Sequence, residues 1–172
     1  SDFVSFDSKE YKIKEARYIS ALVNGGTVYD AHVVKKVVDS KGSTVYETEP
    51  VVYNQLDVKE EYLNALKEGM KDVISGEDAT TATRQFEDCI YKDQLGGKTG
   101  TAQVNNINLE NNSWFVAFAP YDKPEIAIVV FIPSGYAGGY SGYTVRVIAE
   151  HYLDQKYNTQ TDDIPEKDSI VY

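Results

Sequence analysis

Apolar positions recur along this 172-residue chain with two periods. In Lys9–Val23, Ile13, Ala16, Ile19, Leu22 and Val23 fall at helical spacing, and Asn24-Gly25-Gly26 predicts the stop. The same period returns over 58–74, with Tyr62, Leu63, Leu66, Met70, Val73 and Ile74 on one face. Asp57 is placed to cap that helix, with Glu60 as the reciprocal partner, and Gly76 lies just past its end. A weaker, threonine-rich helix is expected over 78–86. A last helix, over 143–155, carries the stripe Val145, Ile148, Ala149, Tyr152 and Leu153. Residues 155–172 are polar and read as a frayed tail.

Between these helices the period drops to two. Val33-Val34 and Val37-Val38 are β-branched and "DSKGS" is a turn signal, so a hairpin is expected there. Further strands are expected over 97–104, 113–119 and 125–132. In the second, Trp114, Val116 and Phe118 alternate with Phe115, Ala117 and Ala119. The third is a nearly continuous apolar run, as in a buried strand. Short polar links between the three predict an antiparallel meander. The fold class is therefore α+β, helices packed on an antiparallel sheet, in one domain over residues 1–172.

Charge narrows the function. The formal net charge is −10, which opposes nucleic acid and anionic membrane surfaces as partners, since both require a basic face. No run reaches the ~18 apolar residues of a membrane span. Cys89 is the one cysteine, so no disulfide forms within the chain, and without a neighbouring cation it reads as a packed thiol rather than a nucleophile. His32, in a strand-like run, and His151, in a helix-like run, lie far apart, so no metal site and no cofactor is expected.

The stretch with chemical content is "LGGKTGTAQV", residues 95–104. A phosphate-cradling loop would need glycine at position 92 and a helix after Thr99; position 92 is Lys92, and residues 100–104 read as a strand. The other glycine-rich stretch, "GYAGGYSG", has no lysine in place and reads as a flexible turn rather than an anion cradle.

Lys98-Thr99-Gly100 is also the Lys-Thr-Gly triplet of penicillin-reactive enzymes. It stands in a longer context: upstream "YISALVNGGTVYDAHVVKKVVDSKGSTVYE", downstream "SWFVAFAPYDKPEIAIVVFI", a glycine-rich turn and a terminal helix. From about residue 10 to residue 155 the chain resembles the C-terminal part of a penicillin-binding protein transpeptidase domain, of the class B type, with a partial β-lactamase-like fold. One departure is Ala117, where relatives commonly carry glycine. The resemblance implies an enzyme that acylates a serine with a D-Ala-D-Ala peptide and passes the acyl group to an amine on a neighbouring strand. It assigns Lys98 and Thr101 catalytic roles. Lys98 places a positive charge beside the serine network, and the backbone N–H of Thr101 supplies one oxyanion-hole donor. Thr99, Gly100 and Thr101 become substrate-binding residues, the two hydroxyls holding the substrate carboxylate and the bare Gly100 letting the substrate lie close to the strand.

None of the eleven serines has lysine three residues on or asparagine two residues on, so the family's Ser-x-x-Lys and Ser-x-Asn elements are not in this sequence. The chain therefore reads as a fragment whose nucleophile lies elsewhere. The expected partners are peptidoglycan stem peptides and β-lactams. The expected location is the extracytoplasmic face of a bacterial membrane, with the anchor outside this segment. A sheet missing its neighbours would leave a face uncovered and favour a homodimer. The competing reading is a non-catalytic binding or scaffold module on the same fold.

Overall fold

The computed structural model describes residues 9–78, 80–103 and 110–158, with side chains from residue 13 onward. Helix α1 (Lys9–Val23) ends where the glycines require it: Gly25 and Gly26 have φ of 86° and 91°. The Asn24 side chain closes the turn by bonding both the N–H and the C=O of Thr27. Strand β1 (Thr27–Tyr29) follows and pairs antiparallel with β4 (Val52–Gln55). Between them lies the hairpin of β2 (Lys36–Val38) and β3 (Thr44–Glu47). Its turn is held by Asp39 Oδ1, which accepts from the N–H groups of Lys41 and Ser43, with Gly42 at φ 82°.

The hairpin is shorter than the sequence suggests. His32, Val33 and Val34 lie outside any strand and are exposed, so the strand-like reading of His32 is corrected. No described strand pairs with that run, where the Thr48 hydroxyl donates to the Val34 carbonyl, and β propensity without a paired strand does not make a strand.

Helix α2 (Glu60–Ser75) starts two residues later than expected, with Lys59 at the cap position and no side-chain cap bond. The proposed Asp57–Glu60 capping box is therefore absent; Glu60 and Glu61 instead sit in the first turn, where carboxylates face the helix dipole favourably. A capping box does form at α3 (Thr81–Gln85), between Thr80 and Thr83. Helix α4 (Gly142–Asn158) runs three residues beyond the expected end. Its last turn is not frayed, because Lys156 Nζ meets Glu125 at 2.6 Å and Tyr91 donates to Asp154 at 2.8 Å. Residues 159–172, the rest of the expected tail, lie outside the described residues, as does Val104.

The central sheet is the expected meander: β5 (Gly96–Ala102), β6 (Asn112–Ala119) and β7 (Ile126–Ile132), in that spatial order and antiparallel throughout. Both of its faces are covered. Phe115, Ala117 and Ala119 point into one cluster with Phe86, Leu95, Val145, Ala149 and Leu153. Phe118 points into the other, with Ile19 and Leu22 of α1 and Leu63 and Met70 of α2. Helices α1, α2 and α4 bury narrower stripes than their periodicity suggests: Ile13, Tyr62, Leu66 and Ile148 stay exposed. Cys89 is buried among apolar side chains, which pushes its thiol up to about 11 and fits the structural reading.

Candidate active-site strand

Strand β5 is an edge strand among the described residues, paired with β6 on one side only. Its glycines are dictated by β6. A Cβ on Gly96 would stand 2.4 Å from the Phe118 ring, and one on Gly97 would stand 2.6 Å from Phe115 and 3.0 Å from Ile74. The aromatic rings of β6 thus occupy the space that side chains on β5 would take. This brings the backbone of β5 down onto the core just before Lys98. Ala117 lies opposite Gly97, so the methyl that departs from the family pattern faces a residue with no side chain.

Lys98, Thr99, Gly100 and Thr101 pair in unbroken register with Val116, Phe115, Trp114 and Ser113. Alternation along a strand then separates them. Thr99 and Thr101 share the face of Phe115 and Ser113, whereas Lys98 leaves on the face of Val116 and Phe118. The predicted residues are therefore not gathered on one surface. What they share is the edge of β5 that no described strand pairs with. Lys98 is exposed and makes no ion pair with any described residue.

Thr101 has a partner that its sequence context does not announce. The backbone N–H of Gly138 donates to Thr101 Oγ1 at 3.0 Å. Gly138 opens a 3-10 turn over Gly138–Ser141, the centre of the "GYAGGYSG" stretch. That turn is tightly packed, correcting the expectation of a flexible one: Gly138, Gly139, Ser141 and Gly142 are all buried. A Cβ on Gly138 would lie 2.5 Å from the Gly100 oxygen, and one on Gly139 2.7 Å from Thr81. The chain enters the turn through Ser134 and Tyr136 at φ 52° and 66°, a region non-glycine residues seldom adopt.

Beneath the turn sit Ser113 and Ser141, the two buried polar side chains among the described residues. Their hydroxyls are 2.8 Å apart, and each also lies 2.8 Å from a carbonyl of the turn, Ser113 from Ala137 and Ser141 from Gly138. Sequence reading passed over both serines. The signal was parity: Ser113 shares that of Phe115, Ala117 and Ala119, which marks it as inward-facing.

Among the described residues, no cluster of His, Cys, Asp and Glu is suited to a metal ion, and no helix is long and apolar enough to cross a membrane. What β5 offers is an ammonium, two hydroxyls and an open backbone edge, a set suited to an extended peptide ending in a carboxylate.

Comparison with known proteins identifies the family. Residues 12–153 match the family model of the penicillin binding protein transpeptidase domain. Penicillin-binding protein 2A of Bacillus subtilis is 31% identical over 159 residues, covering 82% of this chain and 22% of that protein. Peptidoglycan D,D-transpeptidase MrdA of Haemophilus influenzae is 28% identical over 161 residues, covering 84% of this chain and 24% of that protein. The chain thus spans about a quarter of the length of the curated relatives it matches. Among solved structures, the D,D-transpeptidase domain of a peptidoglycan glycosyltransferase from Eggerthella lenta superposes with a TM-score of 0.66 at 23% identity, over 85% of this chain and 33% of that one. PBP2 of Pseudomonas aeruginosa, in complex with WCK 5153, gives 0.61 at 26% identity, over 83% and 28%. With its Lys-Thr-Gly strand, its three-stranded meander and a family match over most of its length, the chain belongs to the penicillin-binding protein transpeptidase family, class B type, and forms part of that domain.

Proposed function

We propose that this chain supplies the carboxylate-binding strand and one oxyanion donor of a peptidoglycan D,D-transpeptidase whose nucleophilic serine lies in another part of the same protein. The observation that carries this is the placement of Lys98, Thr99 and Thr101 around the open edge of β5. An extended D-Ala-D-Ala stem peptide pairs along that edge. Its terminal carboxylate takes hydrogen bonds from the threonine hydroxyls and charge from the Lys98 ammonium. The serine oxygen adds to the penultimate carbonyl carbon, and the oxyanion that forms is held by the Thr101 N–H. Collapse breaks the peptide bond, and the proton given up by the attacking serine hydroxyl passes to the leaving D-alanine nitrogen. An amine of a neighbouring peptide then displaces the serine. β-Lactams enter by the same route, with ring opening in place of departure. The protein works at the extracytoplasmic face of the membrane, held by a segment outside this chain.

Intact-mass spectrometry with benzylpenicillin tests this. The full-length protein is expected to gain one covalent adduct, and the 172-residue chain alone none. An adduct on any of the chain's own serines would overturn the assignment of the nucleophile elsewhere. A full-length protein that stays unlabelled would establish the non-catalytic scaffold reading instead.

A further inference from the structure

Two wholly buried hydroxyls in an otherwise apolar core ask for an explanation. Ser113 heads β6, and Ser141 closes the 3-10 turn before α4. Both are 0% exposed. Two hydroxyl protons serve three contacts of 2.8 Å, to the carbonyls of Ala137 and Gly138 and between the serines themselves. Everything they grip belongs to one short piece of backbone. The N–H of Gly138, from that same piece, is the group that bonds Thr101 Oγ1.

From this geometry we infer that the Ser113–Ser141 pair is a positioning device for the hydroxyl of Thr101, a role that rests on the carboxylate-binding reading of β5. A threonine hydroxyl has one proton and two acceptor lone pairs. The Gly138 N–H occupies a lone pair, so the rotor is biased and the proton is directed away from the turn. No other described residue hydrogen-bonds Thr101 Oγ1, which leaves that proton for the substrate carboxylate. The buried serines hold the Gly138 N–H in place through the turn's carbonyls, and the bare Cα of Gly138 lets the turn rest on the backbone of Gly100. Neither serine touches substrate. Each acts through Gly138 and Thr101, and the chain Ser113–Ser141–Gly138–Thr101 links the start of β6 and the entry of α4 to the end of β5.

The test uses the full-length protein with Ser141→Ala, Ser113→Ala, Thr101→Val and the double variant Ser141→Ala/Thr101→Val. Acylation rates are measured with benzylpenicillin and with its methyl ester, which lacks the anionic carboxylate. Small displacements of an aligned group cost up to ~10²-fold in rate, and Ser141→Ala is expected to slow acylation by benzylpenicillin about tenfold. Reaction with the ester should be little changed, and the double variant should be no slower than Thr101→Val alone. Equal losses with acid and ester, or multiplying losses in the double variant, would show a general structural role and overturn the inference. Should Ser113→Ala fold poorly, amide exchange at Gly138 in the unmodified protein decides: protection supports the bond to Thr101, and exchange at the rate of an open loop overturns it. Normal acylation by Thr101→Val would sink the carboxylate-binding reading itself. Impaired Thr101→Val beside unaffected serine variants would sink only the positioning role.

Discussion

The N–H of Gly138 lies 3.0 Å from Oγ1 of Thr101, across 37 residues of sequence. That one bond joins the glycine-rich turn to the Lys-Thr-Gly strand, and it exists because Gly138 has no side chain. With a Cβ there, Gly100 would be met at 2.5 Å from its oxygen and 2.6 Å from its nitrogen. Gly138→Ala must therefore lift the turn off the strand. The expected result is a loss of β-lactam acylation by the full-length protein of about tenfold or more, together with faster amide exchange at position 138. Unchanged acylation would mean that the turn does not support the site.

Lys98→Ala is expected to cripple acylation while sparing the fold. Lys98 is exposed and fills no apolar space, so the stability change should stay within about ±0.5 kcal/mol. A preorganised charge in a cleft acts mainly on the transition state. A fall of ~10²-fold in acylation rate, equivalent to about 2.7 kcal/mol of barrier, is expected. Lys92→Ala, on the turn before β5, is the control. Acylation rates and melting temperatures of both variants check this; equal small effects would make Lys98 decorative.

Two glycines should respond oppositely to the same substitution. Gly97→Ala drives a methyl into the Phe115 ring at 2.6 Å, and overpacking of this kind costs about 1–3 kcal/mol. Gly69, inside α2, has nothing within 4 Å of the place a methyl would take, so Gly69→Ala should stabilise by about 0.5–1 kcal/mol through helix propensity. Denaturant midpoints of the two variants give the comparison, and a shared sign would contradict the packing described for β5.

Cys89 should resist thiol reagents in the folded protein. Burial raises its thiol from an ordinary 9.0 to about 11, with the neighbouring Glu150 adding to the shift. Because the folded value is the higher, the unfolded chain gives up the proton first as pH rises. The thiol's contribution to stability is whole below pH 9 and is lost between about 9 and 11. Labelling by a disulfide reagent at about pH 8, near the ordinary thiol range, should be slow until denaturant is added. Cys89→Ala should flatten the alkaline decline. Rapid labelling of the native protein would place Cys89 at the surface.

The acid side has its own contributor. Glu125 is held below the usual carboxylate range, first by the hydrogen bond from Lys156 and then by that from Tyr152. A depressed folded value means stability present above about pH 4.5 and lost as pH falls below it. Glu125→Gln should weaken the tie between the turn after β6 and the end of α4 at neutral pH and reduce the loss on acidification. Melting temperatures from about pH 3 to 7, spanning the carboxylate range, check this. Parallel curves for the two proteins would show that the pair contributes nothing measurable.

Much of this protein is local and therefore legible in the chain. The 3.6 period of α1 and α4, the period of two in β6 and the turn chemistry of Asp39–Gly42 all act within a few residues, so their elements stand close to where pattern places them. The Lys-Thr-Gly strand was legible for the same reason, since chemistry and turn residues adjoin in one stretch. What the tertiary structure decided are partnerships across long separations. Tyr29 pairs with Val52 across the whole intervening hairpin, a separation over which local pattern carries no information. Asp57 does not cap α2: the helix begins at Glu60 with Lys59 at the cap position, and its hold on the fold is the packing of Leu63 and Met70 in one cluster with Phe118. Lys98 and Thr99 face opposite ways because register with β6 sets the pleat. The bond from Gly138 to Thr101, and the serines beneath it, depend on α4 and its entry turn lying over one face of the sheet. A hydrogen bond needs its donor within a few tenths of an ångström, and over 37 residues only the packing of the whole domain supplies that precision.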